Sequence, residues 1–209
     1  DLVTFICILK ACSSIGAIDE GEKIHDMIVN RGLMGKDVVL CNALVDMYAK
    51  CGMLARAKEV LEELPVRDVI SWNALIAGYA EQGQGHDALR CYDRMQNDGV
   101  SPDVVTFICI LKACGITGDI DKGSKIHEDI MSRDLLEKDL LLTNALIDMY
   151  AKCGLFTKAK QILERLHFRN VISWSSLIAG YAQQGQGHEA LDCFERMKTE
   201  GISPDAVTF

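Results

Sequence analysis

Residues 69–103 read VISWNALIAGYAEQGQGHDALRCYDRMQNDGVSPD, and their order of apolar residues and glycines decides the fold. Two stretches have apolar residues three or four positions apart, which places those residues on one face of a helix. These positions are Leu75, Ile76 and Tyr79, followed by Ala88, Leu89, Tyr92 and Met95. Gly83 and Gly85 lie between the stretches, where a helix stop and a tight turn favour glycine. The segment therefore predicts a helical hairpin, closed by Gly99 and Pro102.

The same plan recurs along the whole chain. DLVTF at residues 1–5 returns as DVVTF at 103–107 and as DAVTF at 205–209, an offset of 102 residues each time. TFICILKAC, MYAKCG, VISW, LIAGYA and GQGH occur unchanged in both copies. Each copy divides into three hairpins, so the sequence predicts six hairpins and twelve helices. The predicted motifs are 2–37, 38–68, 69–103, 104–139, 140–170 and 171–205, and residues 206–209 begin a further one.

A single hairpin cannot bury its apolar face, so neighbouring hairpins must stack into an α-solenoid. No stretch alternates apolar and polar residues over a useful length, which disfavours strands. The prediction is an all-α fold of tandem helix-turn-helix repeats, with the first helices lining the concave surface. Gly52 and Gly154 are expected to end first helices, and Asp19 with Glu22 three residues later predicts a helix N-cap.

Composition supports a folded chain and sets one difficulty. Of the 209 residues, 49% are hydrophobic and 25% charged, which suits a packed core rather than disorder. The nine cysteines include no C-x-x-C pair, and Cys7, Cys12, Cys51, Cys109, Cys114 and Cys153 recur with the repeat, so we expect reduced core thiols, no metal site and no cofactor. The chain opens with Asp1 rather than Met, and we expect it to be a piece of a longer protein. The net charge of −8 is unusual for a protein that binds nucleic acid.

Three segments resemble the motifs of the pentatricopeptide-repeat family, in its plant organellar class that alternates long, short and standard motifs. TFICILKAC…GEKIH resembles the long motif, CNALVDMYAKCG…AKEVLEELPVRD the short one, and residues 69–103 the standard one. The resemblance covers essentially the whole chain. The tetratricopeptide repeat, a protein-binding solenoid, fits less well because its W-x-x-L-G-x-x-Y pattern is absent and Trp72 and Trp174 follow serine in VISW.

The resemblance implies a right-handed α-solenoid that binds single-stranded RNA, one base per repeat, in a mitochondrion or chloroplast. Two residues per motif read each base, one on the first helix and one at the last position. By motif match the pairs are Asn42 with Asp68, Asn73 with Asp103, Asn144 with Asn170, and Ser175 with Asp205. The family's code gives these pairs U, U, C and G. The long motifs carry Ile6 with Asp37 and Ile108 with Asp139, and isoleucine cannot hydrogen-bond a base. The implied RNA is 5′-nUUnCG-3′.

Other positions are assigned to the faces of the bases and to the phosphates. The aliphatic residues expected to clamp base faces are Val3, Val39, Ile70, Val105, Leu141 and Ile172. Lys50 and Lys152, at the ends of first helices, are candidates to contact phosphates. Simpler roles remain open for the base-reading pairs and for the aliphatic residues. Asn and Asp at hairpin junctions are favoured as helix caps, and aliphatic residues are favoured in a core.

The resemblance also suggests a site-recognition factor for organellar C-to-U RNA editing. The H-x-E and P-C-x-x-C signature of a zinc deaminase is missing, so we do not expect this chain to be an enzyme. His25, His86, His127 and His188 recur with the repeat and have no evident nucleophile beside them. The alternative function is a protein-interaction scaffold whose apolar long motifs hold an editing-factor protein. Neither function requires a membrane or a small-molecule substrate.

Overall fold

A computed structural model of the chain describes residues 1–136, 138–166 and 168–205. The described residues form twelve α-helices and no strand, which confirms the predicted all-α fold of helical hairpins. In chain order the helices are α1 (Leu2–Ile15), α2 (Ile18–Asn30), α3 (Val38–Lys50), α4 (Leu54–Glu63), α5 (Val69–Glu81), α6 (Gly85–Asn97), α7 (Val104–Thr117), α8 (Ile120–Ser132), α9 (Leu140–Lys152), α10 (Phe156–Arg165), α11 (Val171–Gln183) and α12 (Gly187–Thr199). Residues 206–209, predicted to begin a further motif, lie outside the described residues. None of these helices is long and apolar enough to cross a membrane.

Short polar side chains start the first helices of the hairpins. Asp37 accepts the backbone N–H of Leu40 at 2.8 Å, and Asp139 accepts that of Leu142 at 2.9 Å. The same bond recurs at Asp1, Asp68, Asp103 and Asn170. In each case the side chain before the helix accepts the backbone N–H three positions later. Each satisfies a backbone donor that the first helical turn leaves without a partner. The last residue of each of the first five predicted motifs therefore caps the first helix of the next.

Two details of the turns differ from the sequence prediction. Gly83 takes a φ of +73°, as a helix stop requires, but Gly85 is the first residue of α6 rather than part of the turn. The N-cap predicted at Asp19 is wrong, because α2 begins one residue earlier and its N-cap is Ala17, which offers no side-chain bond. Asp19 lies in the first turn, where a carboxylate still interacts favourably with the helix dipole.

The chain divides into two compact units, Asp1–Cys109 and Ile110–Phe209. In the first unit, α3 packs between α1 and α5, and α2, α4 and α6 pack against the first helices of their own hairpins. The second unit repeats this arrangement, with α9 packed on α11 and with α10 and α12 on the outer layer. The largest side chains that are almost completely buried are Trp72 and Tyr48 in one unit and Trp174 and Tyr150 in the other.

Close helix contact within each unit depends on small residues. A Cβ added at Gly78 of α5 would lie 2.9 Å from the Cβ of Ala49, and one at Gly180 of α11 would lie 2.6 Å from the Cβ of Ala151. The predicted burial of cysteines in these cores is confirmed for five of the nine and is wrong for Cys7. The buried ones are Cys12, Cys41, Cys91, Cys114 and Cys193, whereas Cys7 is exposed.

Arginine closes the short hairpin of each unit. The Nε and Nη2 atoms of Arg67 donate to the backbone carbonyls of Leu61 and Glu62 at 3.0 and 3.1 Å, and Nη1 donates to Asp98 at 3.0 Å. Arg169 makes the equivalent bonds in the second unit. The Arg67 guanidinium thereby satisfies backbone carbonyls at the end of α4 and links them to Asp98 at the end of α6.

Candidate nucleic-acid interface

Each first helix exposes an aliphatic side chain at its second residue. The exposed fractions are 67% for Val3, 62% for Val39, 60% for Ile70, 52% for Val105, 63% for Leu141 and 47% for Ile172. Ordinary core packing, the simpler role for these six residues, is contradicted by this exposure. The exposure leaves these side chains accessible to a ligand, as the predicted contact with base faces requires.

In the first unit, the predicted base-reading pairs come together. The Nδ2 of Asn42 donates to both carboxylate oxygens of Asp68, at 3.2 and 3.1 Å. Asn42 lies three residues after Val39, so the two side chains share one face of α3. Asp68 also accepts the N–H of Ser71 at 2.8 Å, and its capping role is therefore real, whereas Asn42 lies inside a helix and caps nothing.

The next pair has the same bond and one more. The Nδ2 of Asn73 donates to Asp103 at 2.9 Å, and the Thr106 hydroxyl donates to the Oδ1 of Asn73 at 2.6 Å. Burial raises the pKa of Asp103, but the hydrogen bonds from Thr106 and Asn73 outweigh it and leave that pKa below its ordinary value. The carboxylate therefore remains an acceptor that orients the asparagine.

In the second unit, the predicted pair of Asn144 and Asn170 is not joined by a hydrogen bond. Asn144 is 4% exposed, and neither its Oδ1 nor its Nδ2 has a hydrogen-bond partner among the described residues. The Asn170 side chain accepts the N–H of Ser173 at 2.9 Å and acts as a cap. The Ser175 hydroxyl donates to the backbone carbonyl of Val171 at 2.7 Å. Asp205 is exposed at the end of the described residues.

The long motifs differ from the others as their sequences predict. Ile6 and Ile108 are half-buried on α1 and α7, and neither side chain can donate or accept a hydrogen bond. Asp37 and Asp139, at the last positions of these motifs, cap α3 and α9.

Comparison with known proteins identifies the family. Residues 3–33, 39–69 and 143–171 match the family described as PPR repeat, and residues 67–115 and 169–209 match the related PPR repeat family. The chain belongs to the pentatricopeptide repeat family. A chloroplastic pentatricopeptide repeat-containing protein of Arabidopsis thaliana, At4g25270, is 40% identical over 97% of this chain and 38% of its own length. The mitochondrial At1g77170 of the same plant is 36% identical, over 97% of this chain and 43% of its own.

Solved pentatricopeptide repeat structures share the fold. The protein PPR10 in complex with an 18-nucleotide psaJ RNA element has a TM-score of 0.78 and 19% identity, over 98% of this chain and 30% of that one. PPR10 from maize has a TM-score of 0.72 and 20% identity, with the same coverage. The chain spans less than half the length of the curated relatives described above.

The two lysines expected to contact phosphates are engaged within their own repeats. Lys50 forms an ion pair with Asp46 at 2.9 Å, and Lys152 forms one with Asp148 at 2.7 Å. Each aspartate lies one helical turn before its lysine and offsets the positive charge. Phosphate contact by these lysines remains a prediction, and it requires the ammonium group to be shared with the neighbouring carboxylate.

The recurring histidines on second helices bond to tyrosines. The Nδ1 of His25 lies 2.9 Å from the hydroxyl of Tyr48, and that of His127 lies 2.9 Å from the hydroxyl of Tyr150. Burial lowers the pKa of both imidazoles, and nearby cationic side chains add to this. These histidines join the second helix of each long motif to the first helix of the short motif that follows.

The sequence prediction missed Thr106, although the sequence holds a signal for it. The third residue of α7 is threonine in DVVTF, whereas the third residue of α5 is serine in DVISW. A hydroxyl at this position can accept the backbone N–H of the capping residue three positions before it. Only the structure reveals the second bond, from Thr106 to Asn73.

Proposed function

We propose that this pentatricopeptide repeat chain binds single-stranded RNA in a sequence-specific manner, one base per repeat, with the register 5′-nUUnCG-3′. The observation that carries the proposal is the pairing of Asn42 with Asp68 and of Asn73 with Asp103, each beside an exposed aliphatic side chain. The RNA named in the PPR10 complex supports the choice of ligand for a chain with this fold.

The aliphatic residues account for affinity without sequence preference. Val39 and Ile70 occupy the same position on neighbouring first helices, and both side chains are more than half exposed. A base inserted between two such side chains would bury apolar surface on both of its faces. The same description applies to Leu141 and Ile172 in the second unit, although Ile172 is slightly less exposed.

The amide orientation accounts for a preference of uracil over cytosine. Uracil presents a donor at N3 beside an acceptor at O4, and cytosine presents the reverse order of acceptor and donor. An asparagine amide matches one base in one orientation and the other after a 180° flip. Carboxylate oxygens only accept, so Asp68 and Asp103 hold the Nδ2 of their asparagines and oppose the flip. At Asn144 no carboxylate opposes it, which agrees with the cytosine assigned to that motif.

The net charge of −8 limits the affinity we expect. Six acidic residues in the described part of the chain cap helices, and others form ion pairs with lysine and arginine. The negative net charge disfavours numerous phosphate contacts, so we expect a shallow dependence of affinity on salt. Discrimination would come from base contacts rather than from the backbone.

The role in the plant is proposed by extension. The relatives named chloroplastic and mitochondrial suggest an organelle, and the alternating motif lengths suggest an editing-site recognition factor. The chain spans less than half of those relatives, so the editing role is proposed from resemblance alone.

The test is fluorescence anisotropy with a labelled RNA that contains nUUnCG and a scrambled RNA of equal composition. We expect preference for the intended order, lost in Asn73→Ala and retained in Asn97→Ala, which removes an exposed asparagine at the end of α6. Equal affinity for both RNAs would reduce the proposal to a general RNA groove. No binding to either would favour the protein-interaction scaffold.

A further inference from the structure

A residue outside the predicted pairs bears on the choice of base at the third nucleotide. We propose that Thr106 is a positioning residue for Asn73, and that its hydroxyl holds the asparagine amide in the orientation that selects uracil. This inference rests on the RNA register proposed above. It adds to the pair of Asn73 and Asp103 a third residue, taken from the first helix of the following repeat.

The bonding of Thr106 leaves its hydroxyl little freedom. The side chain is completely buried, and its Oγ1 accepts the backbone N–H of Asp103 at 3.1 Å. The hydroxyl proton is then directed to the Oδ1 of Asn73, at 2.6 Å, or to the Oδ1 of Asp103, at 2.9 Å. A flip of the Asn73 amide would remove the nearer acceptor and place its carbonyl oxygen against the Asp103 carboxylate. Both ends of the amide are therefore held.

The preceding junction provides a natural comparison. Ser71 also accepts the backbone N–H of its capping residue, at 3.0 Å, but its hydroxyl donates to the backbone carbonyl of Asp68 at 2.9 Å. The Oδ1 of Asn42 has no partner among the described residues. The amide of Asn42 is therefore held only through its nitrogen. Although the two motifs share the same Asn and Asp, we expect a stronger preference for uracil at Asn73 than at Asn42.

The two hydroxyls allow matched variants. Thr106→Val removes the hydroxyl and keeps the branched shape, Thr106→Ser keeps the hydroxyl, and Ser71→Ala removes the equivalent hydroxyl that makes no bond to Asn42. Both hydroxyl-removing variants lose one capping interaction, so thermal unfolding should change by similar amounts. Only Thr106→Val should also change base selection.

The measurement is anisotropy binding with RNAs that carry U or C at the second or the third nucleotide. Loss of one hydrogen bond predicts that Thr106→Val lowers the preference for uracil at the third nucleotide by about three- to tenfold. The preference at the second nucleotide should not change, Thr106→Ser should behave as the wild type, and Ser71→Ala should alter neither preference. An unchanged third-nucleotide preference in Thr106→Val, or equal losses at both nucleotides, would overturn the proposal.

A measurement without RNA separates this inference from the proposed function. Hydrogen exchange of the Asn73 side-chain amide, followed by NMR, should be slower in the wild type than in Thr106→Val, with no difference at Asn42. If the wild type shows no uracil preference at either nucleotide, the RNA register is wrong, and the exchange rates alone decide whether Thr106 holds the amide. Equal exchange of Asn73 in wild type and Thr106→Val contradicts the inference.

Discussion

Replacing Gly180 by alanine tests how tightly the first helices must approach. The new Cβ would lie 2.6 Å from the Cβ of Ala151 and 3.2 and 3.3 Å from its backbone C and Cα. Overpacking of a core costs about 1–3 kcal/mol, and the upper half of that range applies because backbone atoms cannot rotate away. Alanine in a helix interior regains about 1 kcal/mol relative to glycine. The expected net loss is about 1–2 kcal/mol, or about 2–8 °C in Tm for a chain of this length.

Gly123→Ala is the matched control in the same unit. Its Cβ would meet the Sδ and Cε atoms of Met149 at 2.7 and 2.9 Å, and these atoms belong to the flexible end of a side chain. The same helix-propensity gain therefore applies with little steric cost, and we expect stability equal to or up to about 1 kcal/mol above that of the wild type. Thermal and urea unfolding followed by circular dichroism at 222 nm measure both variants. Our account of the packing is refuted if Gly180→Ala is as stable as the wild type, or if Gly123→Ala loses as much.

Three further predictions concern capping, pH and base choice. Arg67→Ala should lower the free energy of unfolding by about 1–3 kcal/mol in urea titrations, and Arg67→Lys should recover little because an ammonium group cannot reach both carbonyls in a fork. His25 and His127 have folded pKa values below the ordinary 6.5, so the unfolded chain binds protons more readily. Tm should therefore fall as pH decreases below about 6.5. The double variant His25→Gln with His127→Gln should show a weaker dependence of Tm on pH. An unchanged dependence would disprove that these two histidines cause it. Asn170→Asp should let a carboxylate hold Asn144 and shift the fifth nucleotide from C towards U in anisotropy binding, while the helix cap is retained.

Much of the fold follows from spacing within short stretches of sequence. Glycine marks helix ends because the backbone there takes positive φ values, +84° at Gly52 after α3 and +76° at Gly99 after α6. The amphipathic period then separates exposed positions such as Val39 from buried ones such as Leu44. The Asp19 prediction failed because a polar residue followed by Glu fits a cap and a first helical turn equally well.

The sequence did not predict contacts between residues that are distant along the chain. The bond from Thr106 to Asn73 joins residues 33 positions apart, and that from Arg67 to Asp98 joins residues 31 apart. Both depend on how far one helix is displaced along its neighbour, which periodicity does not specify. The missing partner of Asn144 has another origin: the pair of Asn42 and Asp68 recurs in the second copy with Asn170 in place of the aspartate, and the bond does not form.

The double role of Asp68 limits how such an array can be recoded. Its carboxylate orients Asn42 and at the same time starts α5. Any residue placed there to specify a different nucleotide must also begin a helix, and only Asp, Asn, Ser, Thr and Gly do so well. The residue types allowed at the end of a repeat are therefore limited to good helix caps, whichever base is to be recognised. A designer who wants a new target sequence would find more freedom at the position of Asn42, where no helix depends on the side chain.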